Sequence, residues 1–540
     1  MTNVVLIVPP GYTVPHAQFN LERLGLSYLA SPLRAAGHQV AIVDSIIERL
    51  SWAELLREVQ HNRPDVLGVS LMSHHGVTEL RDFLRDARRE LPGTHICLGG
   101  MFPSLNWKKL LETLPEVDSV ICGEGEQTFV SLANATQDAT PLDSIPGLAV
   151  RAPSGPRFEA ARTPIDLDEL LLPSRDQLGT ILARGGPASL ISSRGCYARC
   201  TFCTIEAVTR SLYPRPQRYR SPVSVADEME SLCRTYGARR FYFVDENFIG
   251  PGRRGRERAQ AIAREIKSRN LAVTFSLECR CMDVERETFR ELVEAGLQRV
   301  FLGVETIVQE ELDRFHKAQD EPMVHRAINT LRDLRVHVEI GFILFTPWST
   351  LESLATKRRF LEEFGSHATA SLGSYLSVMP GTELEKQLRD ENLLAGEWPD
   401  YWFEFKDQRA SILFGLVQQE LVTPWNNVIQ ELLGYQWNQP FDWGIQHALD
   451  RSADPKLDFV EELLQWASEV RYQHFDALME IVSRLSLPQD ATNPPAWARD
   501  GLREIAASSR RHAAETSAML RALEDCRVET PVFAASVKLR

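Results

Sequence analysis

Short apolar segments alternate with helical segments in two stretches of this sequence, which restricts the chain to an α/β fold. Residues 1–150 predict a Rossmann-like parallel sheet with helices on both faces and strands at 4–8, 39–43, 66–71, 95–98 and 119–122. Residues 189–394 repeat strand and helix units at about thirty residues and predict a full or partial barrel. Its strands are expected at 189–192, 240–244, 273–277, 299–303, 336–344 and 371–378. Between them, the Pro/Gly-rich residues 151–188 predict a linker, and residues 395–540 predict a helical C-terminal domain.

Three cysteines follow the first expected barrel strand. Cys196, Cys200 and Cys203 are separated by three residues and then by two. Three thiolates on one loop can hold three irons of a cubic iron–sulfur cluster and leave the fourth iron open. A structural zinc site needs a fourth ligand at short spacing, but the nearest histidines, His95 and His316, lie more than a hundred residues away. The spacing therefore favours a cluster over a zinc knuckle.

The same loop resembles the cluster-binding loop of the radical S-adenosylmethionine (SAM) enzymes, in which an aromatic residue such as Phe202 precedes the last cysteine. The resemblance implies a 4Fe-4S cluster whose open iron chelates SAM, and an electron that cleaves SAM to a deoxyadenosyl radical. It also implies a partial barrel of six strands and six helices, and an electron donor such as flavodoxin or ferredoxin. Tyr197 stands where many relatives have proline, a departure that concerns loop shape more than ligation.

Strand parity assigns faces to a segment that ends in charged residues. Glu278 and Arg280 share one face of the expected strand, and Cys279 and Cys281 share the other. A barrel interior that holds a charged cofactor takes the charged pair, so Glu278 and Arg280 are expected to bind SAM. The two cysteines are expected to pack outward as small buried apolar residues.

Two further loops resemble positions at which relatives contact SAM. Glu246 is the candidate for the SAM amino group, with Asp245 or Asn247 as alternatives because the register is uncertain by one residue. Gly303 and Glu305 resemble the ribose-binding position, and a carboxylate can accept two hydrogen bonds from a diol. Each of these acids could instead form an ordinary salt bridge.

Tyr375 lies on the last expected strand and is the candidate catalytic residue, facing the radical. The alternative is a packed tyrosine whose hydroxyl bonds to backbone.

Glycine-rich loops follow the strands of the first domain, at the strand ends where such sheets bind ligands. In order, Ser70-Leu71-Met72, Gly99-Gly100 and Gly123-Glu124-Gly125-Glu126 resemble the cobalamin-binding domain that precedes the barrel in one large class of radical SAM enzymes. The resemblance implies that all of these residues lie along cobalamin.

The lower face of the cobalt has no obvious protein ligand, since the motif Asp-x-His-x-x-Gly is absent. Leu71 and Met72 are expected to cover that face. His74 and His75 lie in the same loop and could ligate instead, although two solvent-facing polar histidines are the favoured alternative.

Bulk properties limit the partners. A net charge of -13 without a basic stripe argues against a nucleic-acid binder. The sequence has no long uncharged apolar run and no signal-like amino terminus, so neither a membrane segment nor export is expected. Nine cysteines without a paired framework fit the cytoplasm.

Taken with the resemblance, these features predict a cobalamin-dependent radical SAM methyltransferase acting on an unactivated carbon of a small natural-product intermediate, as in antibiotic biosynthesis. The resemblance implies a substrate radical that takes its methyl group from methylcobalamin. Cyclisation, rearrangement or oxidation on the same scaffold is one alternative, and a non-catalytic cobalamin or iron–sulfur sensor is another. The sequence identifies neither the substrate nor the oligomeric state.

Overall fold

The computed structural model describes residues 1–10, 21–138, 140–160, 164–438, 455–487, 490 and 493–525. Across these residues, a seven-stranded sheet is followed by a partial barrel and then by a helical region. The part of the chain that the structure describes contains no helix long and apolar enough to cross a membrane.

The amino-terminal sheet has the strand order β2-β1-β3-β4-β5-β6-β7. Its strands are β1 Asn3–Val8, β2 Gln39–Asp44, β3 Val66–Ser70, β4 His95–Gly99, β5 Ser119–Ile121, β6 Leu148–Val150 and β7 Arg157–Phe158. The first five are parallel, as predicted, whereas β6 and β7 add an antiparallel edge. The sheet therefore continues past the expected limit at residue 150.

Helices cover both faces of this sheet, and strand parity explains why. Alternate residues of β1 enter two separate apolar clusters, with Val5 and Ile7 in one and Val4 and Leu6 in the other. A strand that is apolar on both faces must be covered on both. The covering helices are α1 Leu24–Ala35, α2 Trp52–Asn62, α3 Val77–Glu90, α4 Met101–Thr113 and α5 Glu126–Asp138.

The second sheet is a partial barrel of parallel strands in the order β14-β13-β12-β11-β8. They are β8 Ala188–Leu190, β11 Arg240–Phe243, β12 Thr274–Arg280, β13 Leu297–Glu305 and β14 His337–Phe342. A small antiparallel hairpin, β9 Ser193–Gly195 and β10 Gln217–Tyr219, carries the cysteine loop. The associated helices are α6 Leu178–Ala183, α7 Thr204–Leu212, α8 Pro222–Tyr236, α9 Gly252–Ser268, α10 Arg286–Glu294, α11 Gln309–Arg314, α12 Glu321–Asp333, α13 Leu351–Phe364 and α14 Glu383–Asp390.

The expected sixth barrel strand at 371–378 is wrong as a strand. A 3-10 helix occupies Ser366–Gly373, and only one bridge, between Phe345 and Tyr375, continues the sheet. The Ser374 hydroxyl accepts the amide N–H of Leu344 at 3.0 Å, so a side chain replaces a ladder bond at this edge.

The C-terminal region begins with a hairpin, β15 Leu394–Glu397 and β16 Asp400–Phe403, that the helical prediction missed. The predicted helices follow as α15 Gln408–Val417, α16 Thr423–Asn438, α17 Pro455–Ser483 and α18 Ala496–Asp525. The last three pack around the fully buried Trp425.

The linker is fixed to both domains by one arginine. Arg175 lies in a buried ion-pair network with Glu22 of the first domain and Glu228 of α8, the latter at 2.7 Å. This network therefore connects the linker to both domains.

Candidate functional site

The cysteine loop begins at the end of β9 and ends at the start of α7. Cys200 is buried, and Cys196 and Cys203 are half-buried. Burial raises the pKa of Cys203 to about 12 and also raises that of Cys196, and the neighbouring thiols add to both effects.

The donor set fits an iron–sulfur cluster better than a single ion. No group of three His, Cys, Asp or Glu side chains among the described residues is arranged around one metal ion. A tetrahedral zinc site would require such convergence, with sulfur at about 2.3 Å from the metal. In a cubic cluster each thiolate binds its own iron, so three spaced thiols on one loop meet the requirement.

Tyr197 anchors the cysteine loop to the barrel. Its hydroxyl donates to the Asp283 carboxylate at 2.7 Å, and the Asn247 amide donates to the other carboxylate oxygen at 2.8 Å. Asp283 lies just after β12, so the residue that replaces proline here supplies a side-chain tether.

Arg280 points into the barrel, as strand parity predicted, and reaches the cysteine loop. Its Nη1 donates to Cys200 Sγ at 3.2 Å, and its Nη2 donates to the Lys317 carbonyl. Cys279 and Cys281 enter the apolar core on the other side of the strand, which confirms their predicted role.

Glu278 shares the interior face with Arg280 but makes a different contact. It accepts a hydrogen bond from the Tyr242 hydroxyl, and burial raises its pKa. Binding of SAM by Glu278 and Arg280 stays a prediction, and here both side chains already have protein partners.

The structure distinguishes the three acidic-loop candidates after β11. The Asp245 carboxylate accepts hydrogen bonds from the Ser192 and Ser193 hydroxyls, at 2.7 and 2.5 Å. The Asn247 amide donates a hydrogen bond to Asp283. Glu246 instead accepts the Gly195 amide N–H at 3.1 Å, directly before the first cysteine. Burial raises the pKa of Glu246 to about 7, with a further contribution from the Asp245 charge. Glu246 therefore remains the candidate for a SAM contact.

Glu305 ends β13 in a left-handed conformation, with φ of 65°. The Lys317 ammonium lies 3.0 Å from its carboxylate and is almost completely buried. A non-glycine residue at positive φ is uncommon and points to a functional constraint. Gly303 lies next to this pair, so the predicted ribose position is an ordered, charged corner of the barrel.

Sequence reasoning missed the ion pair that supports this corner. Lys357, fully buried on α13, donates to Glu311 at 2.7 Å. Thr306 and Thr346 also donate to the Glu311 carboxylate, each at 2.7 Å. The pair thereby joins the loops that follow β13 and β14, and a lysine on a helical segment gave no signal of it.

Close backbone contacts shape the glycine loops of the first domain. Gly100 has a φ of 109°, and a Cβ there would lie 2.3 Å from the Leu71 carbonyl oxygen. Leu71 donates its own N–H to the Gly99 carbonyl at 2.8 Å, so the loop after β3 lies against the loop after β4. Contacts of Ser70, Gly99 and Gly100 with cobalamin stay predictions.

The residues expected to cover the cobalt differ in exposure. Leu71 is buried and packs in the cluster that contains Val5 and Ile7, because the strand parity turns it inward. Its expected role in covering the cobalt stays a prediction. Met72 is 44% exposed and remains available for that role.

The expectation of two solvent-facing histidines is wrong for His74. Its side chain is only 4% exposed and packs against His75 and Phe102, with ring centroids 4.2 and 6.4 Å away. Burial lowers its pKa to about 4, and its Nδ1 has no hydrogen-bond partner among the described residues. A buried imidazole with this pKa is neutral near pH 7, and ligation of cobalt by His74 stays a prediction.

The acids of the Gly123-Glu124-Gly125-Glu126 loop contact the barrel. Arg194 of β9 lies 3.4 Å from Glu124 and 2.6 Å from Glu126, and Arg218 of β10 also pairs with Glu124. The same hairpin carries the cysteine loop. Contact of this segment with cobalamin stays a prediction, and its carboxylates serve here as an interdomain link.

The Tyr375 side chain is partly exposed and packs among other aromatic rings. Its ring packs edge-on against Trp402 and Phe414, at 5.0 and 5.6 Å, and is 44% exposed. The described residues provide no partner for its hydroxyl, so the backbone-bonded alternative is not found. A catalytic role stays a prediction.

Comparisons with known proteins match both domains. Residues 13–133 match the B12 binding domain, and residues 190–358 match the radical SAM superfamily. The hopanoid C-3 methylase of Methylococcus capsulatus is 32% identical over 67% of this chain and 68% of its own. An uncharacterized methyltransferase of Pyrococcus horikoshii is 26% identical over 70% of this chain and 81% of its own. The anaerobic magnesium-protoporphyrin IX monomethyl ester cyclase of Synechocystis is 29% identical over 61% and 66%.

Solved structures share the fold. The cobalamin-dependent SAM radical enzyme OxsB superposes with a TM-score of 0.71 at 18% identity, over 97% of this chain and 80% of OxsB. The methyltransferase TsrM of Kitasatospora setae gives 0.58 at 21% identity, over 72% and 75%. With the domain matches, the cofactors are cobalamin, SAM and a 4Fe-4S cluster. The chain belongs to the cobalamin-dependent radical SAM enzymes.

Proposed function

We propose that the protein is a methyltransferase that transfers a methyl group to an unactivated carbon of a small organic molecule. The observation that carries this proposal is the 32% identity to a hopanoid C-3 methylase across about two thirds of both chains. Another relative with a methyltransferase name acts, by that name, on a cytidylyl-2-hydroxyethylphosphonate.

The bound cofactors would supply a radical and a methyl group, and the chain's residues would orient them. Cys196, Cys200 and Cys203 would hold the cluster, and Glu246, which accepts the Gly195 N–H, and Glu305, which pairs with Lys317, would contact SAM. Lys317 fixes the Glu305 carboxylate, so a hydrogen-bond acceptor is already oriented before SAM binds.

A small aromatic cluster at the edge of the barrel supports a substrate with an apolar face. It consists of the exposed Tyr375 and the partly buried Trp402 and Phe414, beside the bridge that ends the sheet. Ligand sites are lined largely by apolar and aromatic side chains. A flavodoxin or ferredoxin as electron donor, and the cytoplasm as compartment, are part of the same proposal.

The test uses SAM that carries a deuterated methyl group. Reconstituted enzyme is incubated with labelled SAM, a reductant and metabolite extract, and products are analysed by mass spectrometry. The proposal expects labelled methyl in a small-molecule product, together with 5'-deoxyadenosine. Cys200→Ala, which cannot complete the cluster, is expected to abolish both.

A second reaction class follows from the cyclase relative. Cyclisation or rearrangement would give deoxyadenosine and a changed product without the label. That result would contradict the methyltransferase proposal and would agree with a radical SAM enzyme of another reaction class.

A further inference from the structure

We infer that Arg280 is a positioning residue that sets the reduction potential of the iron–sulfur cluster through a hydrogen bond to the Cys200 sulfur. Its Nη1 lies 3.2 Å from Cys200 Sγ, within hydrogen-bonding range for sulfur. The family assignment supplies the cluster, and strand parity predicted contact of Arg280 with SAM rather than with a ligand sulfur. The inference concerns only cluster reduction and is independent of the reaction that the enzyme performs on its substrate.

The guanidinium is held in a fixed orientation. Its second amino group donates to the Lys317 carbonyl, and its carbon lies 5.8 Å from the centre of the Tyr197 ring. Only 6% of the residue is exposed. Two donors of a planar fork are thus used on different segments, so the side chain cannot swing away from Cys200 without breaking the second bond.

Arg280 keeps one more donor buried. Its Nε has no hydrogen-bond partner among the described residues.

The charge of this side chain determines the direction of the effect. Reduction adds one electron, taken from an external one-electron donor, to a cluster that already carries three thiolates. Arginine stays protonated under all ordinary conditions, and a cation or an N–H donor at a ligand sulfur stabilises the more negative, reduced state. The low dielectric of a buried site increases this stabilisation. Arg280 therefore raises the potential and makes the cluster easier to reduce.

The experiment is a potentiometric titration of the reconstituted enzyme, without SAM, followed by EPR of the reduced cluster. Arg280→Gln is expected to lower the midpoint by about 59 mV, the one-electron equivalent of a tenfold change in the equilibrium constant. Arg280→Lys keeps the charge and should lower it less. A midpoint unchanged in Arg280→Gln at full iron content would overturn the inference.

Arg299→Gln is the matched control. Arg299 is another buried barrel arginine, paired with Glu339. Gly303 lies opposite Arg280 on the neighbouring strand. Arg299 precedes Gly303 by four residues, which corresponds to about 13 Å along the strand. An equal shift in this variant would show a general charge effect and contradict the specific contact.

A second measurement does not depend on any variant folding. Wild-type enzyme labelled with arginine that carries 15N only in its guanidinium group is reduced and studied by pulsed EPR. A 15N coupling to the cluster is expected, because a hydrogen-bonded guanidinium nitrogen shares spin density with the cluster. Absence of a coupling from arginine would overturn the inference even if Arg280→Gln fails to load iron.

Discussion

The barrel and the cobalamin domain hold their ligand-binding loops by different means. In the barrel, buried charges are paired, as in Lys317 with Glu305 and Lys357 with Glu311. In the first domain, the loops are held by direct backbone contact at Gly100, and the buried His74 is neutral. The barrel site should therefore be sensitive to loss of a charge, and the cobalamin site to added volume.

The largest effect is expected from removing Lys357, the α13 partner of the buried ion pair with Glu311 of α11. Lys357→Met leaves the Glu311 carboxylate buried without its counter-ion, which should cost about 3–5 kcal/mol in the free energy of unfolding. Urea unfolding followed by tryptophan fluorescence measures it. The double variant Lys357→Met with Glu311→Gln should recover most of the loss, and no recovery would show that the charge is not the cause.

A smaller loss is expected from adding a methyl group in the first domain. Gly100→Ala would place Cβ against the Leu71 carbonyl and require a positive φ, at a cost of about 3 kcal/mol and with weaker cobalamin binding. Cobalamin content and the unfolding midpoint are the measurements. Gly93→Ala, which meets open space, is the control and should leave both unchanged.

The interdomain ion pairs test whether charge also matters outside the barrel. Arg194→Gln should cost about 2 kcal/mol, because it weakens the contacts with Glu124 and Glu126. Limited proteolysis of the linker should be faster in this variant. Arg210→Gln removes a more exposed pair within α7, so comparable acceleration there would contradict a specific link.

The smallest effect is a pH dependence that belongs to the cobalamin domain. The pKa of His74 is about 4 when folded and near 6.5 when unfolded, so the unfolded state binds more protons as the pH falls. Stability should fall by about 0.7 kcal/mol between pH 7 and pH 6 and continue to fall toward pH 4. His74→Phe should reduce this slope, with the exposed His75→Gln as control. A slope unchanged by His74→Phe would exclude His74 as its source.

The five parallel strands of each sheet and the cysteine loop could be predicted because they depend on local patterns. Short apolar segments located β1 to β5, and parity placed Arg280 inside and Cys279 outside. The spacing of Cys196, Cys200 and Cys203 was visible in eight consecutive residues.

The features that sequence reasoning missed depend on long-range contacts. The partner of Lys357 lies 46 residues earlier, and that of Arg194 lies 68 residues earlier. His74 packs against Phe102 of α4, 28 residues later in the chain, and the Ser374 hydroxyl accepts the Leu344 N–H at the edge where a sixth strand was predicted. Spacing along the chain does not reveal such pairs.

Arg194 has a consequence for how such enzymes can diverge or be recombined. It stands two residues before Cys196 and binds the acids of the cobalamin loop, so a single short segment belongs to both halves. A chimera that takes its first domain from one relative and its barrel from another must bring matching acids and arginine together. The two halves are therefore expected to be inherited as one unit, and the productive crossover points to lie outside residues 123–218.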